Sequence, residues 1–148
     1  MPEEQGNLNF SGAEVNLLLH ATEDGPRVLK AVQDVLLIPS DRFSSSASEG
    51  HYKNRILLLK AILSSQEARK LANHMISLLS STDKNQISRL LHQYSDEKGN
   101  LYMRIDKQRM CQGKVSLSET DAIRIRFRPV KRYNKPSKTL EGYRALFD

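Results

Sequence analysis

The sequence predicts an α+β fold in which helices pack on one face of an antiparallel sheet. Segments in which apolar and polar residues alternate, as in half-buried strands, are interspersed with segments whose apolar residues recur at helical spacing. In chain order they give strand, helix, strand, helix, helix, then two or three strands, an order typical of α+β domains. We predict a flexible N-terminus at 1–12, a single domain at 13–130, and a basic tail at 131–148 with a short C-terminal helix.

Size and cysteine content restrict the class of protein. A chain of 148 residues is long enough for one well-buried domain. Cys111 is the only cysteine, which excludes an internal disulfide and a cysteine-based zinc site and favours a reducing compartment. The opening residues are acidic and polar, so we expect no signal peptide, and no apolar run approaches the length of a membrane span. The expectation is a cytoplasmic protein without membrane contact.

The first strand and helix are predicted between residues 13 and 39. Alternating apolar residues predict a strand at 13–21. Thr22 or Asp24 can cap the following helix, Pro26 is tolerated in its first turn, and Pro39 marks its end. The serine-rich segment 40–50 has too few apolar residues to be buried and predicts a mobile loop.

A second strand is predicted at Arg55–Leu63. Its odd-numbered residues, from Leu57 to Leu63, are expected to face the core. The opposite parity places Ile56, Leu58 and Ile62 on the outer face. An apolar outer face indicates self-association, as in a homodimer, or cover by the C-terminal tail.

Two helices and a turn follow this strand. Ser64 and Glu67 form a capping box that begins the first helix, and Thr82 or Asp83 begins the shorter second one. The polar segment 95–100 has the composition of a turn.

Two further strands each have an apolar and a polar side. In 101–108 the apolar residues share one parity, and Tyr102 and Arg104 share the other. A short return strand is predicted at 115–117. The last strand separates its apolar residues from three arginines: Arg124, Arg126 and Arg128. Beyond it, apolar residues at helical spacing in 139–147 predict a helix that docks on the domain or on a partner.

The distribution of charge points to a polyanionic partner. Residues 101–148 hold 12 Lys and Arg against 5 Asp and Glu, whereas residues 1–100 hold 11 against 12. Guanidinium groups pair with phosphate oxygens, and aromatic rings stack on bases, so this region suits RNA. The alternative is that exposed strands are charged only for solubility and to protect sheet edges. The candidate RNA-binding residues are Arg104, Arg124, Arg126, Arg128, Tyr102, Lys114, His51, Tyr52, Lys53, Asn54, Arg55, Lys131 and Arg132.

Other constellations do not indicate catalysis. His20 and Glu23 have a spacing that metal ligands use, with His51 or Asp106 as further ligands. Zinc sites need three or four ligands of defined type, and this spacing crosses a strand-to-helix turn, so we interpret it as a helix start. Cys111 has no histidine nearby in sequence and is predicted to be inert. No phosphate-binding glycine loop or hydrolase motif occurs. We predict a non-enzymatic protein without metal or cofactor.

Several motifs together resemble one family. They are HATED at 20–24, EGHY at 49–52, NLYMRIDK at 100–107, and DAIRI from Asp121. This combination is similar to archaeal RNA-binding proteins described as predicted exosome-associated subunits. Where that family usually has a glycine and a proline, this chain has Lys53 and Arg55.

The resemblance implies a fold like that of the ribosomal protein that binds five-S rRNA. It also implies RNA binding as an accessory or adaptor in RNA processing or degradation, with the exosome as a partner. The alternative function is an interaction adaptor whose basic sheet face binds an acidic protein.

Overall fold

The computed structural model describes residues 10–49, 55–130 and 136–147, with the backbone alone for residues 49 and 136–139. The strands are β1 (Phe10–His20), β2 (Ser44–Glu49), β3 (Arg55–Leu63), β4 (Leu101–Asp106) and β5 (Ala122–Pro129). The helices are α1 (Gly25–Leu36), α2 (Ser65–Leu78), α3 (Ser81–Arg89), α4 (Lys107–Met110) and α5 (Pro136–Phe147). Single 3-10 turns lie at Ser40–Arg42 and Leu91–Gln93.

The five strands form one open antiparallel sheet in the order β2-β3-β1-β5-β4. The α+β prediction is therefore confirmed. One parity of β4 and β5 is buried and the other reaches solvent, as their sequence alternation requires. Edge strand β2 pairs antiparallel with β3, so that Ser44 lies opposite Lys60 and Glu49 opposite Arg55.

The described chain divides into two compact units, and the division falls within β1, β3, β4 and β5. Unit 1 consists of residues 10–13, 63–103, 126–130 and 136–147. Unit 2 consists of residues 14–49, 55–62 and 104–125.

An aromatic cluster lies at the centre of unit 1. The Phe10 ring lies 5.0 Å from that of Phe127 and 6.1 Å from that of Tyr143. The Tyr143 hydroxyl donates a hydrogen bond to the Gly99 carbonyl. Burial and the nearby charge of Asp96 raise the pKa of this hydroxyl above its ordinary value. Helix α5 thus docks on α3 of its own chain, the first of the two sites predicted for the C-terminal helix.

In unit 2, the amphipathic helix α1 packs against α4 and buries its apolar side. Val28, Val32 and Leu36 recur at helical spacing and are buried. Asp24 caps the helix by accepting a hydrogen bond from the Arg27 amide at 3.2 Å, and Pro26 occupies the first turn. The predicted helix start is confirmed.

Three sequence predictions fail, each for a local reason. Segment 44–49, predicted as part of a loop, is strand β2, because backbone pairing with β3 needs no apolar side chains. Leu57 is 37% exposed although predicted to face the core, because it lies opposite Ala47, whose small side chain covers little of it. At 115–117 there is a single bridge between Leu117 and Ile105 instead of a return strand.

The helix predictions need smaller adjustments. Ser80, and not Thr82 or Asp83, caps α3, since its hydroxyl accepts from the Asp83 amide at 3.1 Å. Strand β4 ends at Asp106 instead of residue 108, because the Asp106 carboxylate accepts from the Arg109 amide at 2.9 Å and begins α4.

We expect Gly12→Ala to destabilise the protein by about 1–3 kcal/mol through overpacking. Gly12 is buried, and an added Cβ would lie 2.7 Å from the Arg128 Nη2 and 2.9 Å from the Leu63 carbonyl oxygen. The arginine can move, but the backbone oxygen belongs to a sheet strand. Urea unfolding measures the effect, with Ser11→Ala on the exposed side as control. Equal stability of wild type and Gly12→Ala would contradict this close packing.

Candidate functional site

Strand β5 presents arginines along its exposed side. Ile123, Ile125 and Phe127 are at most 1% exposed, whereas the alternate residues reach solvent. Arg124 is exposed, and Arg126 and Arg128 are half-buried. We refer to Arg124, Arg126 and Arg128 as the β5 arginines. A strand with this alternation holds its guanidinium groups on the side opposite the core.

Arg128 retains an unused hydrogen-bond donor. Its guanidinium lies against the backbone of Gly12, within unit 1. Its Nε is buried and has no acceptor among residues 10–49, 55–130 and 136–147.

Tyr102 projects from the exposed side of β4 and is held by its hydroxyl. That hydroxyl donates to the Asp96 Oδ2 at 2.8 Å. Partial burial, followed by the hydrogen bond and charge of Asp96, raises the pKa of Tyr102, while a hydrogen bond and charge from Arg126 partly oppose the rise. The phenol therefore lies between a carboxylate and a guanidinium, and 38% of the residue remains exposed.

The turn that follows α3 fixes the Asp96 carboxylate. Its Oδ1 accepts from the amides of Lys98 at 3.0 Å and Asn100 at 2.9 Å, and its Oδ2 accepts from the Asn100 side chain at 3.0 Å. Gly99 takes a φ of 86°, which glycine adopts without strain. Burial alone would raise the pKa of Asp96, but the hydrogen bonds from Asn100, Tyr102 and Lys98 hold it below its ordinary value.

In unit 2, the ammonium of Lys107 is fully buried and fully hydrogen-bonded. It donates to the Leu18 carbonyl at 2.7 Å and to the carboxylates of Glu23 and Asp121, each at 2.8 Å. These three acceptors match the three donors of a lysine ammonium. Glu23 also accepts from the His20 amide at 2.9 Å, so one carboxylate ties together the end of β1 and the start of α4. We call Lys107, Glu23 and Asp121 the lysine cluster.

The lysine cluster accounts for the apparent metal ligands. Ligand atoms of His20, Glu23 and Asp121 lie within 4.8 Å of one another. The Lys107 ammonium, however, already pairs with both carboxylates, and a divalent cation would have to displace this buried side chain. Asp106 instead caps α4. The group is better explained as a structural ion cluster than as a metal centre.

The remaining predicted contacts are dispersed. Arg104 is exposed on β4, Lys114 is exposed in the loop after α4, and Arg55 is exposed at the start of β3. Six predicted residues lie outside the described ranges: His51, Tyr52, Lys53, Asn54, Lys131 and Arg132. The candidate binding residues that the structure describes in detail therefore lie on β4, on β5 and in the 96–100 turn.

An apolar group occupies the outer side of β1 and β3 in unit 2. Leu18, Leu58 and Ile62 are all exposed, Ile62 to 60%. Next to them on the same strands, the Lys60 ammonium lies 3.5 Å from the Glu14 carboxylate. Of the apolar outer residues predicted for β3, Leu58 and Ile62 are exposed and Ile56 is half-buried.

Among the described residues, no helix is long and apolar enough to cross a bilayer.

An open antiparallel sheet that carries guanidinium groups and a tethered tyrosine on its exposed side defines this chain as an α+β protein. Its sequence matches the family model RNA_binding, described as RNA binding, over residues 13–128. The chain therefore belongs to this RNA-binding family.

Individual relatives agree with the family assignment. The chain is 33% identical over 129 residues to RNA-binding protein PAB1135 of Pyrococcus abyssi, covering 83% of this chain and 84% of the relative. The crystal structure of protein AF2318 from Archaeglobus fulgidus, described by the family model DUF54, is 30% identical, with a TM-score of 0.78 over 93% of this chain and 99% of that one. A DUF54 protein from Methanothermobacter thermautotrophicus, 22% identical, shares the fold with a TM-score of 0.77 over 95% of this chain and 99% of that one.

Proposed function

We propose that this chain binds RNA without catalysis and that the β5 arginines pair with RNA phosphates. The observation that carries the proposal is that three successive residues on the solvent-facing side of β5, Arg124, Arg126 and Arg128, are arginines. The exposure of Arg124 supports it, because a phosphate oxygen is a strong acceptor for a guanidinium N–H. Membership of the RNA-binding family supports the choice of polyanion.

Phosphate pairing predicts a salt-dependent affinity. Each neutralised phosphate releases counterions, so log affinity falls linearly with log salt. We expect the triple variant with Arg124, Arg126 and Arg128 replaced by Ala to reduce the magnitude of this slope by about 2–3. The reduction should be similar for unrelated RNA sequences, because phosphate contacts do not read bases. Fluorescence anisotropy titrations at several salt concentrations measure it.

A matched control removes the same charge from helices. Arg27, Lys70 and Arg89 are exposed on α1, α2 and α3, and their replacement by Ala lowers the net charge equally. The slope should remain near that of the wild type in this control. Wild-type affinity and slope in the β5 variant would refute the proposal, as would equal losses in the two triple variants. An acidic protein partner, the alternative occupant of this face, would give a weaker dependence on salt.

We further propose the accessory role that the family resemblance implies. In this role the chain is a cytoplasmic adaptor that presents RNA to a processing or degrading assembly such as the exosome, with a fold related to that of the five-S-rRNA-binding ribosomal protein. The exposed Leu18, Leu58 and Ile62 favour homodimer formation in addition. Crosslinking in cells identifies the RNA and protein partners, and analytical ultracentrifugation gives the oligomeric state. Turnover of end-labelled RNA with magnesium or manganese, co-purifying with the protein, would contradict a non-catalytic role.

A further inference from the structure

Tyr102 is an exposed aromatic residue whose orientation is fixed before any ligand arrives. A surface tyrosine ordinarily samples several rotamers and loses that freedom when it is immobilised. Here the hydroxyl is held by Asp96 at 2.8 Å, and the Tyr102 amide donates to the Tyr94 carbonyl at 2.7 Å. The ring is anchored at its polar tip while the residue remains 38% exposed.

The anchor is itself supported from the interior of unit 1. Asp96 is fixed by three hydrogen bonds from Lys98 and Asn100. The turn that contains these residues is held by the hydroxyl of the buried Tyr143, which donates to the Gly99 carbonyl. Hydrogen bonds therefore connect α5 to the phenol of Tyr102, and Asp96 acts as a positioning residue for the ring.

The surroundings of the ring suit one nucleotide. Arg126, on the exposed side of β5, supplies a cation close enough to the phenol to oppose the rise of its pKa. A base has a π-face that stacks on tyrosine, and its phosphate is matched by a guanidinium. In a duplex the bases are stacked on each other and paired, so their faces are inaccessible to a side chain on a sheet.

We propose that Tyr102 is a preformed platform for an unpaired base, so that the RNA bound by this chain is single-stranded or looped. The proposal rests on the RNA binding proposed above and specifies the class of RNA. The β5 arginines provide affinity for any phosphate backbone, and the Tyr102 ring adds affinity for RNA with free bases alone.

The test compares the binding of three probes to this chain: a short unstructured RNA, the same RNA annealed to its complement, and an abasic strand of equal length. We expect the wild type to prefer the unstructured RNA. Tyr102→Ala should weaken that complex by about 5- to 140-fold, the equivalent of about 1–3 kcal/mol of stacking. Its affinity for the duplex and the abasic strand should change little, and its salt slope should stay that of the wild type.

Two further variants distinguish the effect of ring stacking on affinity from the effect of the hydrogen bond to Asp96 and from a general loss of folding. Tyr102→Phe keeps the ring but loses the bond to Asp96, so its loss should be smaller than that of Tyr102→Ala and again specific to unpaired bases. Tyr94→Phe is the matched control, because it removes a different tyrosine hydroxyl, which accepts a hydrogen bond from the Gln86 side-chain amide at 2.7 Å. We expect this variant to bind all three probes with wild-type affinity. Quenching of a 2-aminopurine base in the RNA should occur with the wild type and be lost with Tyr102→Ala.

The outcomes also separate this inference from the proposed function. Equal wild-type affinity for unstructured and duplex RNA would overturn the platform, as would an equal loss of all three probes in Tyr102→Ala. The proposed pairing of the β5 arginines with RNA phosphates would still hold if the β5 triple variant showed the expected reduction in salt slope. Failure of the wild type to bind any of the probes would overturn both.

Discussion

Phe127→Ala is expected to lower the free energy of unfolding by about 3–5 kcal/mol, the cost of deleting a fully buried aromatic ring. Phe127 is 0% exposed, and its ring lies 5.0 Å from that of Phe10. Phe10 in turn stacks on Tyr143 of α5, so the cavity would open beside the ring that links the aromatic cluster. At about 2–4 °C per kcal/mol for a chain of this size, the melting temperature should fall by roughly 10 °C.

The matched control is Arg124→Ala on the same strand. Arg124 is exposed, and substitutions of exposed residues away from special contacts change stability by less than about 0.5 kcal/mol. Urea denaturation of both variants gives the comparison. Similar shifts in the two midpoints would mean that the buried and exposed sides of β5 have been assigned wrongly.

Local sequence patterns predict much of this fold because their physical causes are local. The period-two alternation in 123–128 places the side chains of these six residues on their observed sides, since successive side chains of a strand point to opposite faces. The capping box of α2 is equally local. Ser64 and Glu67 each bond the other's backbone amide, at 3.2 and 2.9 Å, and both partners lie within four residues of sequence.

The errors arise where long-range partners decide the structure. Segment 44–49 has the composition of a loop, but β3 supplies backbone partners for all of it. Propensity cannot anticipate this pairing, because edge strands are stabilised by hydrogen bonds that any residue except proline can form. Leu57 illustrates the converse, since its parity is that of core residues but its neighbour in β2 is too small to cover it.

The candidate site likewise has some features that local sequence predicts and others that depend on long-range contacts. Alternation along one strand predicts the β5 arginines, and the exposure of Tyr102 follows from the parity of β4. Whether these residues contact RNA remains a prediction. The tether from Asp96 to Tyr102 could have been suspected, because the polar turn at 95–100 stands next to an outward tyrosine. The support from Tyr143 could not, since 44 residues separate it from Gly99.

The sequence contains a signal for the lysine cluster at Lys107. Lys107 continues the parity of Leu101, Met103 and Ile105, which places a charged residue where the core is expected. Lysine is almost never fully buried unless it is paired, so this position implied acidic partners elsewhere in the chain. Those partners lie in two of the resemblance motifs, as Glu23 of the first and Asp121 of the last.

We expect Lys107→Met to destabilise the protein by about 3 kcal/mol, the lower end of the range for breaking a buried ion pair. Methionine retains most of the aliphatic stem, so the loss reports the ammonium and not the packing. Without it, Glu23 and Asp121 would face each other unneutralised, and Asp121 would lose the contact that holds its unusual φ of 39°. The expected destabilisation lies at the low end of that range because the Asp121 side chain is 45% exposed, so that water can solvate its charge.

The origin of this effect is tested by neutralising the acceptors. Adding Glu23→Gln and Asp121→Asn to Lys107→Met removes the charges that the lysine balanced, so the triple variant should recover a substantial part of the stability lost by Lys107→Met alone. Lys114→Met, an exposed lysine in the following loop, is the control and should change the urea midpoint little. If the triple variant were no more stable than Lys107→Met, the unbalanced charges of Glu23 and Asp121 would not be the origin of the loss. If instead Lys107→Met matched the wild type, the cluster would contribute nothing to the folded state.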